Sequence, residues 1–256
     1  MEALPSDILL LALAAVLAGL VDAVVGGGGL IQVPMLFSVF PSAAPATLFG
    51  TNKLAAVWGT AVAARSYAQR FPIAWNVALP ASLAALVFAF IGAWVVSVFP
   101  PVLLRKALPF LLLLVAAYVL VRKDFGSVHQ PIAKGRRKTF LAIAVGALIG
   151  LYDGFFGPGT GSFLIFLFVR VFGFDFLRAS AVAKLVNVAC NLAALTLFAG
   201  LGHVFWQLGL VMAVCNIMGS LMGTRLAVQG GAALVRKVFL LVVAALILKT
   251  STDAFF

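Results

Sequence analysis

Two aspartates and two lysines stand where a charge costs most. Asp22 lies in GLVDAVVGGGG, Asp153 in GLYDGFFGPGTGS, Lys53 in FGTNKLAAVWGT and Lys184 in SAVAKLVNVACN, each inside a long apolar run. At the centre of a membrane helix a charge costs on the order of 2.5 to 3.5 kcal/mol on insertion scales, so it faces a cavity or a partner. The economical partner of each ammonium is one of the two carboxylates. Such a group can act in two ways: the lysine adds positive charge for an anion, and an aspartate carries a coupling proton. A structural pair that ties a helix to its neighbour is a third role, and a pair that opens when substrate or proton arrives is a gate. Read along the second half of the chain, Asp153 pairs with or gates Lys184.

Each aspartate is followed by a helix-breaking cluster, Gly26, Gly27, Gly28 and Gly29 in one case and Gly157, Pro158, Gly159, Thr160, Gly161 and Ser162 in the other. Glycine reaches positive φ and admits close neighbours, and proline removes a donor while fixing the turn. Unwound backbone survives at membrane depth only when buried in protein or lining a wet cavity. A short apolar segment follows each break. The first amides of a helix have no intrahelical partner, and with the positive end of the helix dipole they suit an anion. Tight helix packing is the competing use of the same glycines. A nucleotide-cradling loop is excluded, because GxxxxGK[ST] is absent.

Uncharged donors stand near the charges: Thr51 and Asn52 beside Lys53, Thr160 and Ser162 after the second break, and Asn187 and Asn191 after Lys184. Asn187 and Asn191 are i and i+4, on the helix face of Lys184, and that face is expected to line the cavity. Trp75, Trp206 and His203 adjoin loops and read as interfacial anchors.

The composition names the solvent. Of 256 residues 64% are hydrophobic and 10% charged, and the mean hydropathy is +1.19; soluble domains carry about a quarter charged residues. The apolar runs are helical in length, far beyond the roughly 10 residues of a barrel strand. The chain is therefore expected to be an all-α, polytopic helical membrane protein, with its first apolar run retained as a membrane segment. The net charge of +11 sits at the ends of apolar runs, where cations orient helices, so nucleic acid is not an expected partner. Cys190 and Cys215 fall inside helical runs with no CxxC, and read as packing residues rather than metal ligands or a disulfide. With two histidines, both near loops, no nucleophile–base pair and no metal spacing, the sequence offers neither an enzyme nor a cofactor site.

The chain also repeats itself at one constant offset, the one that carries Asp22 onto Asp153. At that offset Gly19, Leu20, Gly26 and Gly28 fall on Gly150, Leu151, Gly157 and Gly159; Lys53 falls on Lys184, Trp75 on Trp206 and Arg105 on Arg236. The division is a first membrane repeat over 1–121, a basic cytoplasmic linker over 122–138 and a second repeat over 139–256. In the first repeat the apolar pattern predicts helices at 7–25, 45–69, 73–98 and 102–121, plus a short one at 30–40; the short segment of the second repeat is 162–172. Spanning about 30 Å of hydrocarbon takes roughly 20 residues, so neither short segment crosses alone.

If each short helix turns back as a hairpin, each half has an odd number of elements and the halves are inverted. If it fuses with its neighbour, the halves are parallel. Inversion gathers the cations of the linker with Arg65, Arg70, Arg170, Arg178, Arg225, Arg236 and Lys237 on the cytoplasmic side. It leaves only Arg105, Lys106 and Lys249 outside, whereas fusion divides them almost evenly. Positive residues accumulate inside, which favours two inverted repeats, each of about four spanning helices plus a short re-entrant one.

The two motifs in order, GLVDAVVGGGG with GTNKLAA and GLYDGFFGPGTGSF with AVAKLVNVACN, resemble the TauE/SafE family of sulfite or organosulfonate exporters over nearly the whole chain. The resemblance implies a multi-pass permease of the bacterial cytoplasmic membrane for small sulfur-containing or organic anions. It places Asp22, Gly26 to Gly29, Asn52, Lys53, Asp153, Gly157 to Gly159 and Lys184 at the core of the site. One departure makes the half-sites unequal: Ala183 stands where the first half has Asn52. The expected function is secondary transport of small anions with alternating access between the repeats. A passive anion channel and a non-transporting assembly subunit are the alternatives. The implied partners are a small anion and the bilayer; a proton or sodium as coupling ion and a homodimer are compatible with it.

Overall fold

The computed structural model describes residues 5–121 and 135–229, with the backbone alone over 115–121. Nine helices and no strand occur among the described residues: α1 Pro5–Val25, α2 Gly29–Val39, α3 Pro45–Ala68, α4 Trp75–Val98, α5 Pro101–Val121, α6 Gly135–Phe155, α7 Thr160–Phe172, α8 Phe176–Gly200 and α9 Trp206–Val228. Five of them, α1, α4, α6, α8 and α9, are long and apolar enough to cross a membrane. α3 is equally long but more polar, and most of it is enclosed by the others. The linker over 122–134, the second-half counterpart of α5 with Arg236, Lys237 and Lys249, and the chain ends lie outside the described residues. α6 begins at Gly135, so Arg136, Arg137 and Lys138, read from sequence as linker, form its first turn.

The helix ends follow local chemistry. Pro45 opens α3, where its missing N–H costs nothing. Asp175 caps α8 by accepting the Arg178 amide at 2.9 Å. Gly159 (φ 84°) and Gly173 (φ 71°) bound α7 on either side, both left-handed.

Between α1 and α2 the chain folds back on itself. A Cβ at Gly28 would lie 2.5 Å from the Ala18 carbonyl oxygen and 2.8 Å from the Asp22 Cβ. Ten residues of continuous helix would set these backbones about 15 Å apart. α2 is therefore the second arm of a bent pair rather than an extension of α1.

The two halves interlock reciprocally. α1 packs on α9 and α6 on α4; α3 packs on α9 and α8 on α4; α3 and α8 pack on each other. The offset of the sequence repeat converts each pair into its counterpart. Small residues carry these contacts. Gly146, Gly150 and Gly154 of α6 lie against Ala81, Ala85 and Ala89 of α4, so closely that a Cβ at Gly154 would overlap the Ala89 oxygen. Gly19 of α1 meets Asn216 of α9 in the same way, and Gly219 meets Val16. Glycine thus has two separate uses: helix packing along α1, α6 and α9, and chain reversal at Gly26, Gly157 and Gly159, whose φ values are 79°, 92° and 84°.

Candidate functional site

The two breaks meet each other. Ser162 at the start of α7 donates its amide to the Gly26 carbonyl at 3.1 Å and its hydroxyl to the Val25 carbonyl at 2.6 Å. Gly26 and Gly161 touch backbone to backbone, and a Cβ on Gly161 would stand 2.5 Å from the Gly26 Cα. This contact satisfies carbonyls that α1 leaves free at its end, and the Tyr67 hydroxyl takes a third, that of Ala23, at 2.9 Å. On the other side the Tyr152 hydroxyl holds the Pro158 carbonyl at 2.5 Å.

The charges pair across the halves. Lys53 of α3 donates to Asp153 of α6, and Lys184 of α8 donates to Asp22 of α1, at 2.8 Å from Oδ2 and also to the Asp22 backbone carbonyl. The expected pairing of Asp153 with Lys184 is corrected: each lysine reaches the aspartate of the opposite repeat. The reason is the interlock, which sets the break of one half against the α3-type helix of the other. The repeat offset exchanges the two pairs, as it exchanges the helix contacts.

The pairs are nevertheless unequal. Lys184 is fully buried, holds two acceptors on Asp22, and does not line the cavity between the breaks. Its ammonium caps the carbonyl end of α1, where the helix dipole favours a cation. Lys53 has one acceptor, Asp153, and both line the cavity. Asp22 lines it as well and receives the Thr60 hydroxyl at 3.3 Å.

The cavity has a volume of about 30 Å³, room for one or two waters. Of the residues singled out in the sequence, Asp22, Gly26, Gly28, Gly29, Asn52, Lys53, Asp153, Gly157, Gly159, Thr160, Gly161, Asn187 and Asn191 line it. Gly27 and Ser162 do not; Ser162 instead clasps the two breaks. Thr51 turns away from the cavity, donating to the Thr47 carbonyl and accepting the Phe205 amide at 3.0 Å. Asn187 and Asn191 bond to each other at 3.5 Å. Trp75 and Trp206 open α4 and α9 with exposed rings, while His203 meets the Thr47 hydroxyl at 3.1 Å.

The helix-start amides are only partly free. The Thr160 amide is held by the Gly157 carbonyl and that of Ser162 by Gly26. No hydrogen bond among the described residues engages the amides of Gly28, Gly29 or Gly161, all of which line the cavity.

Three polar residues at the cavity were not singled out in the sequence: Gln32, Thr60 and Asn216. Asn216 reaches it because α3 has Gly59 opposite; a Cβ there would overlap the Asn216 Oδ1. The repeat hides two of them, since Phe163 and Ala85 occupy the counterparts of Gln32 and Asn216. A lone carboxamide in an apolar run is the signal that could have found both.

The sequence pattern describing the sulfite exporter TauE/SafE family matches residues 11–250. A probable membrane transporter protein of Sinorhizobium sp is 36% identical over 242 residues, covering 94% of this chain and 90% of its own. The probable membrane transporter protein YfcA of Escherichia coli K12 is 34% identical over 243 residues, 94% and 88% of the two chains. One from Haemophilus influenzae is 32% identical over 225 residues, 86% and 84%. No solved structure matches.

Proposed function

The chain belongs to the sulfite exporter TauE/SafE family of membrane transporters, and from that premise we propose that it carries small anions, sulfur oxyanions or organosulfonates, by alternating access between two inverted repeats in a bacterial cytoplasmic membrane. The observation that supports this most is the junction of the breaks, where Lys53 lines one polar cavity together with Gly28, Gly29 and Gly161, glycines whose amides have no hydrogen-bond partner among the described residues. An ammonium and free backbone amides stabilise an oxyanion, and the low dielectric of the surroundings strengthens both.

Gating follows from size and charge. A cavity of about 30 Å³ does not hold an oxyanion of four or more heavy atoms until the breaks part. The Lys53–Asp153 link joins the first half to the second, so an anion that draws Lys53 away from Asp153 loosens the halves as it binds. The bared carboxylate then needs a cation, and a proton or sodium ion at Asp153 supplies the coupling.

Purified protein in liposomes tests this. Radiolabelled sulfite uptake is expected to saturate, to depend on an imposed proton or sodium gradient, and to disappear in Lys53→Ala. Non-saturable flux untouched by that substitution points to a channel and sinks the proposal.

A further inference from the structure

Not every group at this cavity suits an anion. Of the four charged side chains Asp22 is the most accessible, at 16% against 3% for Lys53, 2% for Asp153 and 0% for Lys184. Lys184 and Thr60 both contact its Oδ2, while Oδ1 makes no hydrogen bond among the described residues and is not sealed off. Gln32 presents an oxygen too, since its Nε2 is sealed and its Oε1 is not. The Asn216 side chain has no hydrogen bond among the described residues, and neither end of its carboxamide is sealed. All of these residues line the cavity.

The oxygens come together where α1, α2, α3 and α9 meet. The Thr60 hydroxyl lies 3.3 Å from the Asp22 Oδ2. Asn216 of α9 sits against Gly19 and Gly59, one turn before Asp22 and one residue before Thr60. Gln32 stands one turn beyond Gly28, where a Cβ would meet the Asp22 Cβ at 2.8 Å. Lys53 is two turns from Thr60 along α3, about 10 Å. The second repeat has no such set, because the counterparts of Gln32, Thr60 and Asn216 are Phe163, Asn191 and Ala85.

We propose that Asp22, Thr60, Asn216 and Gln32 bind a sodium ion beside the anion. A carboxylate with neutral oxygens is the ligand set of a hard cation. A proton on Asp22 would make no use of the neutral oxygens, and one carboxylate already shared with Lys184 favours a single positive charge over two. The cavity, at about 30 Å³, is the size of an ion with a water. Charge gives the ion its purpose. Lys53 and Lys184 are matched by Asp153 and Asp22, so the protein brings no surplus positive charge to an anion, and sodium supplies it. Each ligand then raises the affinity of the other by the same factor. This rests on the anion-transport reading and names sodium as its coupling ion, bound before Lys53 leaves Asp153.

Thermal unfolding of the full chain in detergent tests it, with NaCl, KCl and choline chloride compared at one ionic strength. The melting temperature is expected to rise saturably with sodium and not with potassium or choline. Thr60→Val, equal in size, and Asn216→Ala are each expected to raise the sodium concentration at half-effect at least about tenfold. Sulfite should lower that concentration in wild type. In Lys53→Met/Asp153→Leu, which keeps Asp22 and its neighbouring oxygens, the sodium response should remain while the sulfite response is lost. Equal effects of the three salts, or a sodium response untouched by both Thr60→Val and Asn216→Ala, overturn the cation site and leave the anion reading standing. A sodium response that sulfite does not alter, with no sulfite response in any of the three salts, overturns the anion reading and the coupling with it.

Discussion

Replacing Lys53 with methionine would leave Asp153 as an unpaired carboxylate with almost no access to solvent, its residue 1% exposed. Removing one member of a buried ion pair costs about 3 to 5 kcal/mol, most of it the penalty of the charge left behind. For a chain of this size each kcal/mol is worth roughly 2 to 4 °C in melting temperature, so Lys53→Met is expected to melt roughly 6 to 20 °C lower. Converting both partners to apolar residues of similar volume is often neutral or better. Lys53→Met/Asp153→Leu should therefore recover most of the loss, whereas Lys53→Met/Asp22→Leu should lose further stability, because it strands Lys184. The assay is thermal unfolding in one detergent for the three variants and the two other single substitutions, analysed as double-mutant cycles. Rescue of Lys53→Met by Asp22→Leu in place of Asp153→Leu would refute the cross-repeat pairing. A melting temperature unchanged in Lys53→Met would refute the buried pair altogether.

The contact of the two breaks makes Gly161→Ala severe, since the new Cβ meets the Gly26 backbone at 2.5 Å; transport in liposomes should be lost, while Gly200→Ala, with nothing within 4 Å, should transport as wild type. The proposed inversion of the repeats puts Trp206 outside and Trp75 in the cytoplasm, although the two are repeat counterparts. In a Cys190→Ala/Cys215→Ala background, Trp206→Cys should react with an impermeant maleimide on intact cells and Trp75→Cys only after permeabilisation; labelling of both from one side would mean parallel halves.

Much of this architecture is legible in the sequence, because lipid imposes simple rules on length and polarity. Composition and run length lead to helices, and the helix starts observed at Pro5, Pro45, Trp75 and Pro101 lie within two residues of the sequence-based ones. The internal repeat draws attention to Asp22, Asp153, Lys53 and Lys184, and all but Lys184 line the cavity. The pairing of these four was not legible. Two equivalent aspartates and two equivalent lysines can pair within halves or between them with the same sequence, and only the packing of α3 against α8 and of break against break decides. Gln32 and Asn216 escaped for a related reason: comparison of the halves reveals what is duplicated, and these residues are not. The two uses of glycine also look alike in sequence. Gly146, Gly150 and Gly154 serve helix contact, Gly157 and Gly159 serve reversal, and the difference lies in φ and in what each faces.

The central claim is that an anion binds between the breaks on Lys53. A melting-temperature screen of the purified protein against sulfite, sulfonates, carboxylates and chloride tests it most directly. At a concentration 100 times its dissociation constant a ligand stabilises by about 2.7 kcal/mol, a shift of roughly 5 to 11 °C for a chain of this size. The expected result is such a shift for at least one sulfur oxyanion or sulfonate with wild type and none with Lys53→Met/Asp153→Leu, which keeps the fold without the ammonium. No shift with any anion, or an undiminished shift in the double variant, would contradict it.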